Sequence, residues 1–197
     1  MRSNQNGSTM LETIGAMMVV SMVSIGIISL VGKMFNAFKQ NMVANEIKEV
    51  QKNITDRYRA DGNYEALEGI SAQDAYKEKL IPAQMLVGNK IVHRQNGEVE
   101  LGIGEEEIDN EKENYFTVKF KGLTNGSCID LSQIAWNSAS STDLYAITIN
   151  NNKTFKVPLA TAGVAPGGDN ALPITIEKAV GACNAGGDDN VIKWTFY

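Results

Sequence analysis

Hydrophobic and polar positions follow several different rhythms along this chain. From Thr13 to Gly32 there is no charged residue, and Ile, Val, Met and Leu dominate. A helix rises about 1.5 Å per residue, so about 20 such residues span roughly 30 Å, the thickness of a bilayer's hydrocarbon core. Gly15, Gly26, Gly32, Ser21, Ser24 and Ser29 dilute the run without breaking it, and small residues let a second helix approach closely. The rhythm then changes. Phe35, Phe38, Met42, Ile47, Val50, Ile54 and Tyr58 recur mostly at three- and four-residue steps, the period of a helix with one apolar stripe. No proline intervenes, and Asp61-Gly62 supplies a turn with a residue suited to a left-handed cap. The pattern predicts one helix from about Thr9 to Ala60, on the order of 75 Å long. Its first half is apolar all round and its second half amphipathic.

Beyond Gly62 the period shortens and the chain reads as a mixed α+β domain. "SAQDAYKEKLI" predicts a short helix with Ser71 as N-cap, ending before Pro82. "KIVHRQNGEVELGI" predicts a hairpin turning at Asn96-Gly97. Phe116, Val118 and Phe120 alternate with Thr117, Lys119 and Lys121, as in a half-buried strand. Cys128, Leu131, Ile134 and Ala135 share helical spacing. "LYAITINNNKTFKVPL" reads as two strands around an asparagine turn. A short helix is expected in "NALPITIEKAVGACNAGGDDN", before its glycine-rich loop. "VIKWTFY" closes the chain as a strand with Ile192, Trp194 and Phe196 on one face.

Composition narrows the function classes. The 197 residues are 43% hydrophobic and 21% charged, which argues against a wholly disordered chain. The net charge of −5 and the absence of a long basic block argue against a general nucleic-acid binder. A cleaved secretory signal is one alternative for the N-terminal run, but the run is long for it, and "GKMFNAFKQNM" lacks a small-x-small cleavage site. A retained membrane helix is the expectation. Basic residues do not orient it: Arg2 stands on one side, Lys33 and Lys39 on the other. The two cysteines, Cys128 and Cys183, form no CxxC pair and lie far from the lone His93, so no zinc site is expected. Outside the cytoplasm a disulfide is their natural state; two separate buried thiols are the alternative.

Catalytic signatures are missing. The chain has no Walker A loop, GxSxG elbow, HExxH or EF-hand pattern. One histidine does not make a triad, and His93 reads as a strand histidine beside a turn. The acidic stretches "GEEEIDNEKE" (Gly104–Glu113) and "GGDD" (Gly186–Asp189) offer oxygens to a hard cation, but solvated loops are the expected reading of both. Met10, Met17, Met18 and Met22 are adaptable apolar filling. The expectation is a protein without enzymatic activity, cofactor or metal.

"GSTMLE" (Gly7–Glu12) followed by about 20 apolar residues resembles the processing signal of type IV pilins and pseudopilins. The resemblance implies that a prepilin peptidase cuts after Gly7, that the new amine of Ser8 is methylated, and that Glu12 is the fifth residue of the mature chain. Ser8 stands where the family usually has phenylalanine, methionine or leucine. "YRADGNY" (Tyr58–Tyr64) and "KGLTNGSC" (Lys121–Cys128) resemble the toxin-coregulated pilin of the type IVb class, as does the lack of a proline in the apolar run. The implied fold is an αβ-roll: a long N-terminal helix packed on an antiparallel sheet. The implied divisions are a leader (1–7), a transmembrane and assembly segment (8–32), an amphipathic segment (33–62) and a globular head (63–197). Cys128 and Cys183 then bracket a disulfide-bounded D-region.

The resemblance also implies a partner for Glu12. An ionised carboxylate at the bilayer centre costs at least ~2.5 kcal/mol, less near the interface, where Glu12 could snorkel to water. In a bundle of helices it could instead meet the amine of Ser8 on a neighbouring subunit. The leading expectation is therefore a pilus subunit that polymerises with copies of itself. Prepilin peptidase and the inner-membrane assembly machinery are its partners, and it moves from the inner membrane to an extracellular fibre. A minor pilin or a type II secretion pseudopilin is the near alternative. A bitopic membrane protein with an outer ligand-binding domain is the alternative of another class.

Overall fold

The computed structural model describes residues 13–15, 17–18, 41–104, 114–134, 143–157, 171–184 and 189–197. The chain divides into two compact units, Met1–Lys39 and Gln40–Tyr197. In the first, residues 13–15 and 17–18 are helical, as the uncharged run predicts. Ile14, Met17 and Met18 are exposed there by 51%, 74% and 60%. Large apolar side chains left this open mark a surface made for lipid or protein.

The second unit begins with helix α1 (41–58). Ile47, Val50 and Ile54 of the predicted stripe are completely buried and Tyr58 nearly so, while Met42 is half-buried and its neighbour Val43 takes the inward place. Its polar face is solvated and carries the i,i+4 pair Lys52–Asp56 at 3.2 Å. The helix stops at the predicted place, where Gly62 takes φ +73°, a conformation that costs glycine little. A 3-10 turn (Glu65–Leu67) follows, then α2 (Ala72–Lys77), whose N-cap Ser71 accepts a hydrogen bond from the Asp74 amide. A second 3-10 turn (Ala83–Met85) leads into the sheet.

The remaining elements are β1 (Leu86–Val87), β2 (Lys90–Val92), β3 (Glu98–Ile103), β4 (Phe116–Leu123), α3 (Asn125–Ser132), β5 (Leu144–Ile149), β6 (Lys153–Lys156), α4 (Ile176–Ala182) and β7 (Asn190–Phe196). The strands form one sheet in the order β1-β2-β3-β4-β7-β5-β6, every neighbouring pair antiparallel. The last strand therefore lies inside the sheet, between β4 and β5. Its inward residues Ile192, Trp194 and Phe196 are fully buried, opposite Phe120, Val118 and Phe116 of β4. They share a single core with the α1 stripe. Tyr64 continues that core: its ring lies 4.7 Å from Phe116, and its hydroxyl donates to the Tyr197 carbonyl. The asparagine turn joins β5 to β6 with Asn150 and Asn151 at φ +52° and +54°, as a type I′ turn requires.

Two features depart from simple alternation. The β2–β3 hairpin does not turn about Asn96-Gly97. The Asn96 amide donates to the His93 carbonyl and the His93 amide to the Gly97 carbonyl, so Arg94 and Gln95 sit at the centre. Asn96 takes φ +66° at the turn's exit. This is a three-residue loop, and asparagine fits its left-handed position. In addition, β4 carries one extra residue between Phe120 and Leu123 relative to β7, with Gly122 at φ +70°. This bulge turns Leu123 back into the core, where it is fully buried.

Candidate functional site

Gly7, Ser8 and Glu12, the residues on which processing and assembly are expected to act, lie outside the described residues. So do most of the apolar run and most of the two acidic stretches; Gly104 and Asp189 are described at their edges. Among the described residues no helix is long and apolar enough to cross a membrane.

The C-terminal pair is fully described. Cys128 of α3 and Cys183, just past α4, are joined as a disulfide with Cα atoms 5.8 Å apart. Both are buried. α3 is positioned for this by its own sequence: Thr124 caps it by accepting from the Ser127 amide at 3.1 Å, and Cys128 and Leu131 face inward. α4 presents Ala179, Ala182 and Cys183 inward.

An asparagine network reinforces the disulfide. Asn190 opens β7 and is fully buried. Its side-chain amide donates to the Leu123 carbonyl at 3.2 Å and to Asn125 Oδ1 at 2.7 Å. Its own Oδ1 accepts from Asn150 Nδ2 at 2.9 Å. Asn150 Nδ2 also donates to the Ala182 carbonyl at 2.8 Å, and Asn150 Oδ1 accepts from the Val191 amide at 2.8 Å. One polar cluster thus joins α3, α4, the β5–β6 turn and the start of β7. Buried amides satisfied in this way fix an arrangement more strictly than apolar contact does. Nothing in the periodicity of the sequence marks Asn190. The one available signal was a polar side chain at an inward position of the closing strand.

A second polar cluster surrounds the β2–β3 turn. Glu46 of α1 is 4% exposed. It accepts from Arg94 twice, from Nε at 3.1 Å and from the amide at 3.2 Å. Burial pushes its pKa up, and Arg94 opposes that. Gln95 Nε2 donates to Ser127 Oγ of α3 at 2.8 Å. His93, 1% exposed, stacks on Phe120 with ring centroids 5.0 Å apart and places Nε2 2.8 Å from the Lys121 carbonyl. A Cβ on Gly97 would overlap that carbonyl and the imidazole. Gly97→Ala is therefore expected to lower stability by about 2 kcal/mol, read as a fall in the denaturation midpoint. Gly126→Ala is the control, since a Cβ there meets nothing within 4 Å, and it should be neutral or stabilising in α3.

These clusters hold elements together and offer little chemistry. Both cysteines are consumed by the disulfide, and His93 has its ring nitrogens engaged. Among the described residues no three His, Cys, Asp or Glu side chains are grouped to hold a metal.

Comparison with known proteins bears on this architecture. The family model described as PilS N terminal matches residues 37–197. No curated protein sequence matches the chain. Among solved structures, TcpA, a type IV pilin from the Vibrio cholerae El Tor biotype, is 16% identical with a TM-score of 0.49, over 81% of this chain and 99% of its own. A type IVb pilin from Salmonella typhi is 14% identical with a TM-score of 0.48, over 76% of this chain and 96% of its own. The family match runs from just before α1 through the whole sheet and the disulfide-bounded region to the last residue, and on it the chain belongs to the PilS N-terminal family of type IV pilins, structural subunits of pilus filaments.

Proposed function

We propose that the chain is made as a precursor, cut after Gly7 by a prepilin peptidase, methylated on Ser8 and polymerised through its N-terminal helix as the main subunit of a type IVb-like pilus. The observation that carries this is the coincidence, in a pilin-family chain, of Gly7, Glu12 at the fifth position after it, and the uncharged run Thr13–Gly32. Before assembly that run holds the subunit in the inner membrane, where the assembly machinery meets it. After assembly the same surface is buried among the helices of neighbouring copies, a change of apolar solvent that costs little. Glu12 makes the second destination specific, because its charge is compensated where a neighbour's Ser8 amine reaches it.

The head is built for an extracytoplasmic life. In an oxidising compartment the Cys128–Cys183 bond persists. A main subunit, unlike a minor pilin or a pseudopilin, dominates the fibre by mass. Electron microscopy of sheared fibres, with mass spectrometry of their principal component, should return this chain. Fibres containing it only in trace amounts would assign it the priming or secretion role instead.

A further inference from the structure

His93 is the one histidine of the chain, and the fold gives it an unusual position. The Lys121 carbonyl can only accept, so Nε2 must carry the hydrogen of the 2.8 Å contact. Nδ1 is then bare, and it accepts from the Gln95 amide at 3.2 Å. The turn that these bonds close holds three other elements: α1 through Arg94 and Glu46, α3 through Gln95 and Ser127, and the β4 bulge through the Lys121 carbonyl. We propose that residues 93–97 form an acid-released latch, in which protonation of His93 opens the turn and frees its attachments to α1, α3 and β4.

The geometry supplies the mechanism. A proton on Nδ1 sets two donors against each other across 3.2 Å and leaves the Gln95 amide without its acceptor. It also places a charge in a site 1% exposed, where burial already holds the imidazole below its ordinary value of 6.5. The surrounding charges offer no relief. Glu46 of α1 is occupied by Arg94, Glu98 of β3 by Lys90 of β2, and Glu100 of β3 by Lys119 and Lys121 of β4.

Three titrating groups stand at the latch, and their signs differ. The closed state keeps His93 neutral, so the open state binds the extra proton. Closure is complete above about pH 6.5 and weakens as pH falls toward the lower folded value. Glu46, raised by burial, holds its proton more readily when closed, so acid favours closure through it. Glu100 is held low chiefly by Lys121, and its contribution is lost only as pH falls below about 4.5. Opening between pH 7.5 and 5.5 therefore belongs to His93.

The test is hydrogen exchange by mass spectrometry on the full chain in detergent micelles, corrected for intrinsic exchange, at pH 7.5 and 5.5. Peptides covering 93–97 should open up to about tenfold more often at the lower pH, the limit for one proton taken up at an ordinary imidazole. Peptides of β7 should not change. His93→Phe keeps the stack and cannot titrate, so its opening should not increase as pH falls. Glu46→Gln removes the group through which acid favours closure, so its opening should rise with acid at least as steeply as in the unaltered chain. Imidazole nitrogen chemical shifts of the unaltered chain provide a reading that needs no variant: His93 should be the Nε2–H tautomer at pH 7.5. Unchanged wild-type protection across this range, an equal change in His93→Phe, or a ring already charged at pH 7.5 would each overturn the latch.

Discussion

Glu12→Ala is expected to give a chain that is synthesised, cut and held in the membrane but forms few fibres. The apolar run remains intact in this variant, so insertion should proceed as before, and four residues, Ser8 to Leu11, separate the proposed cut after Gly7 from the substituted position. What is lost is the partner of a neighbour's amine. Breaking a buried ion pair by removing one member typically costs ~3–5 kcal/mol, because the other charge is left uncompensated. A tenfold change in equilibrium corresponds to about 1.4 kcal/mol, so each subunit contact weakens by roughly two to four orders of magnitude. The penalty recurs at every subunit added. Immunoblots of the sheared-fibre and membrane fractions provide the measurement. Mature chain should accumulate in the membrane while the fibre fraction empties. Wild-type fibre yield would refute the pairing.

Replacing Cys128 and Cys183 together by serine has the next largest expected effect. The bond spans 55 residues of sequence. Removing it frees a loop whose closure entropy corresponds to about 4 kcal/mol, against a total stability that for a domain of this size is about 5–15 kcal/mol. The buried position of both sulfurs adds to the penalty, since serine brings a hydroxyl into a site shaped for apolar sulfur. The asparagine network still joins α3 and α4 to β7, so the sheet should survive while the two helices that carry the cysteines loosen. Chemical denaturation of the full chain in detergent should show the midpoint falling. Exchange protection should be lost first in peptides of α3 and α4. A loss below about 1 kcal/mol would show that the Asn190 cluster and the core suffice without the bond.

Much of the fold was legible because it rests on local signals. The α1 stripe, the Ser71 cap, the asparagine turn and the inward face of β7 each follow from spacing or side-chain chemistry within a few residues. What was not legible depends on long-range pairing. The central place of β7 is decided by which strands it lies between, and no periodicity encodes a neighbour. The bulge at Gly122 interrupts an alternation that reads as regular up to Phe120. The β2–β3 turn shows the same limit at short range. Asn96-Gly97 marks the right hairpin, but Gly97 is needed for its close approach to Lys121, and the turn is centred two residues earlier. Of the expected site, the cysteine pair could be read as a disulfide only with a compartment in hand, and the structure joins it directly. The partners of Asn190 and Glu46 were not legible because they lie 40 and 48 residues away.

The intact mass and N-terminal sequence of subunits from purified fibres test the central claim most directly. The predicted chain begins at Ser8, carries a methyl group on that amine and has its two cysteines oxidised. Fibres whose subunits still begin at Met1 would contradict it.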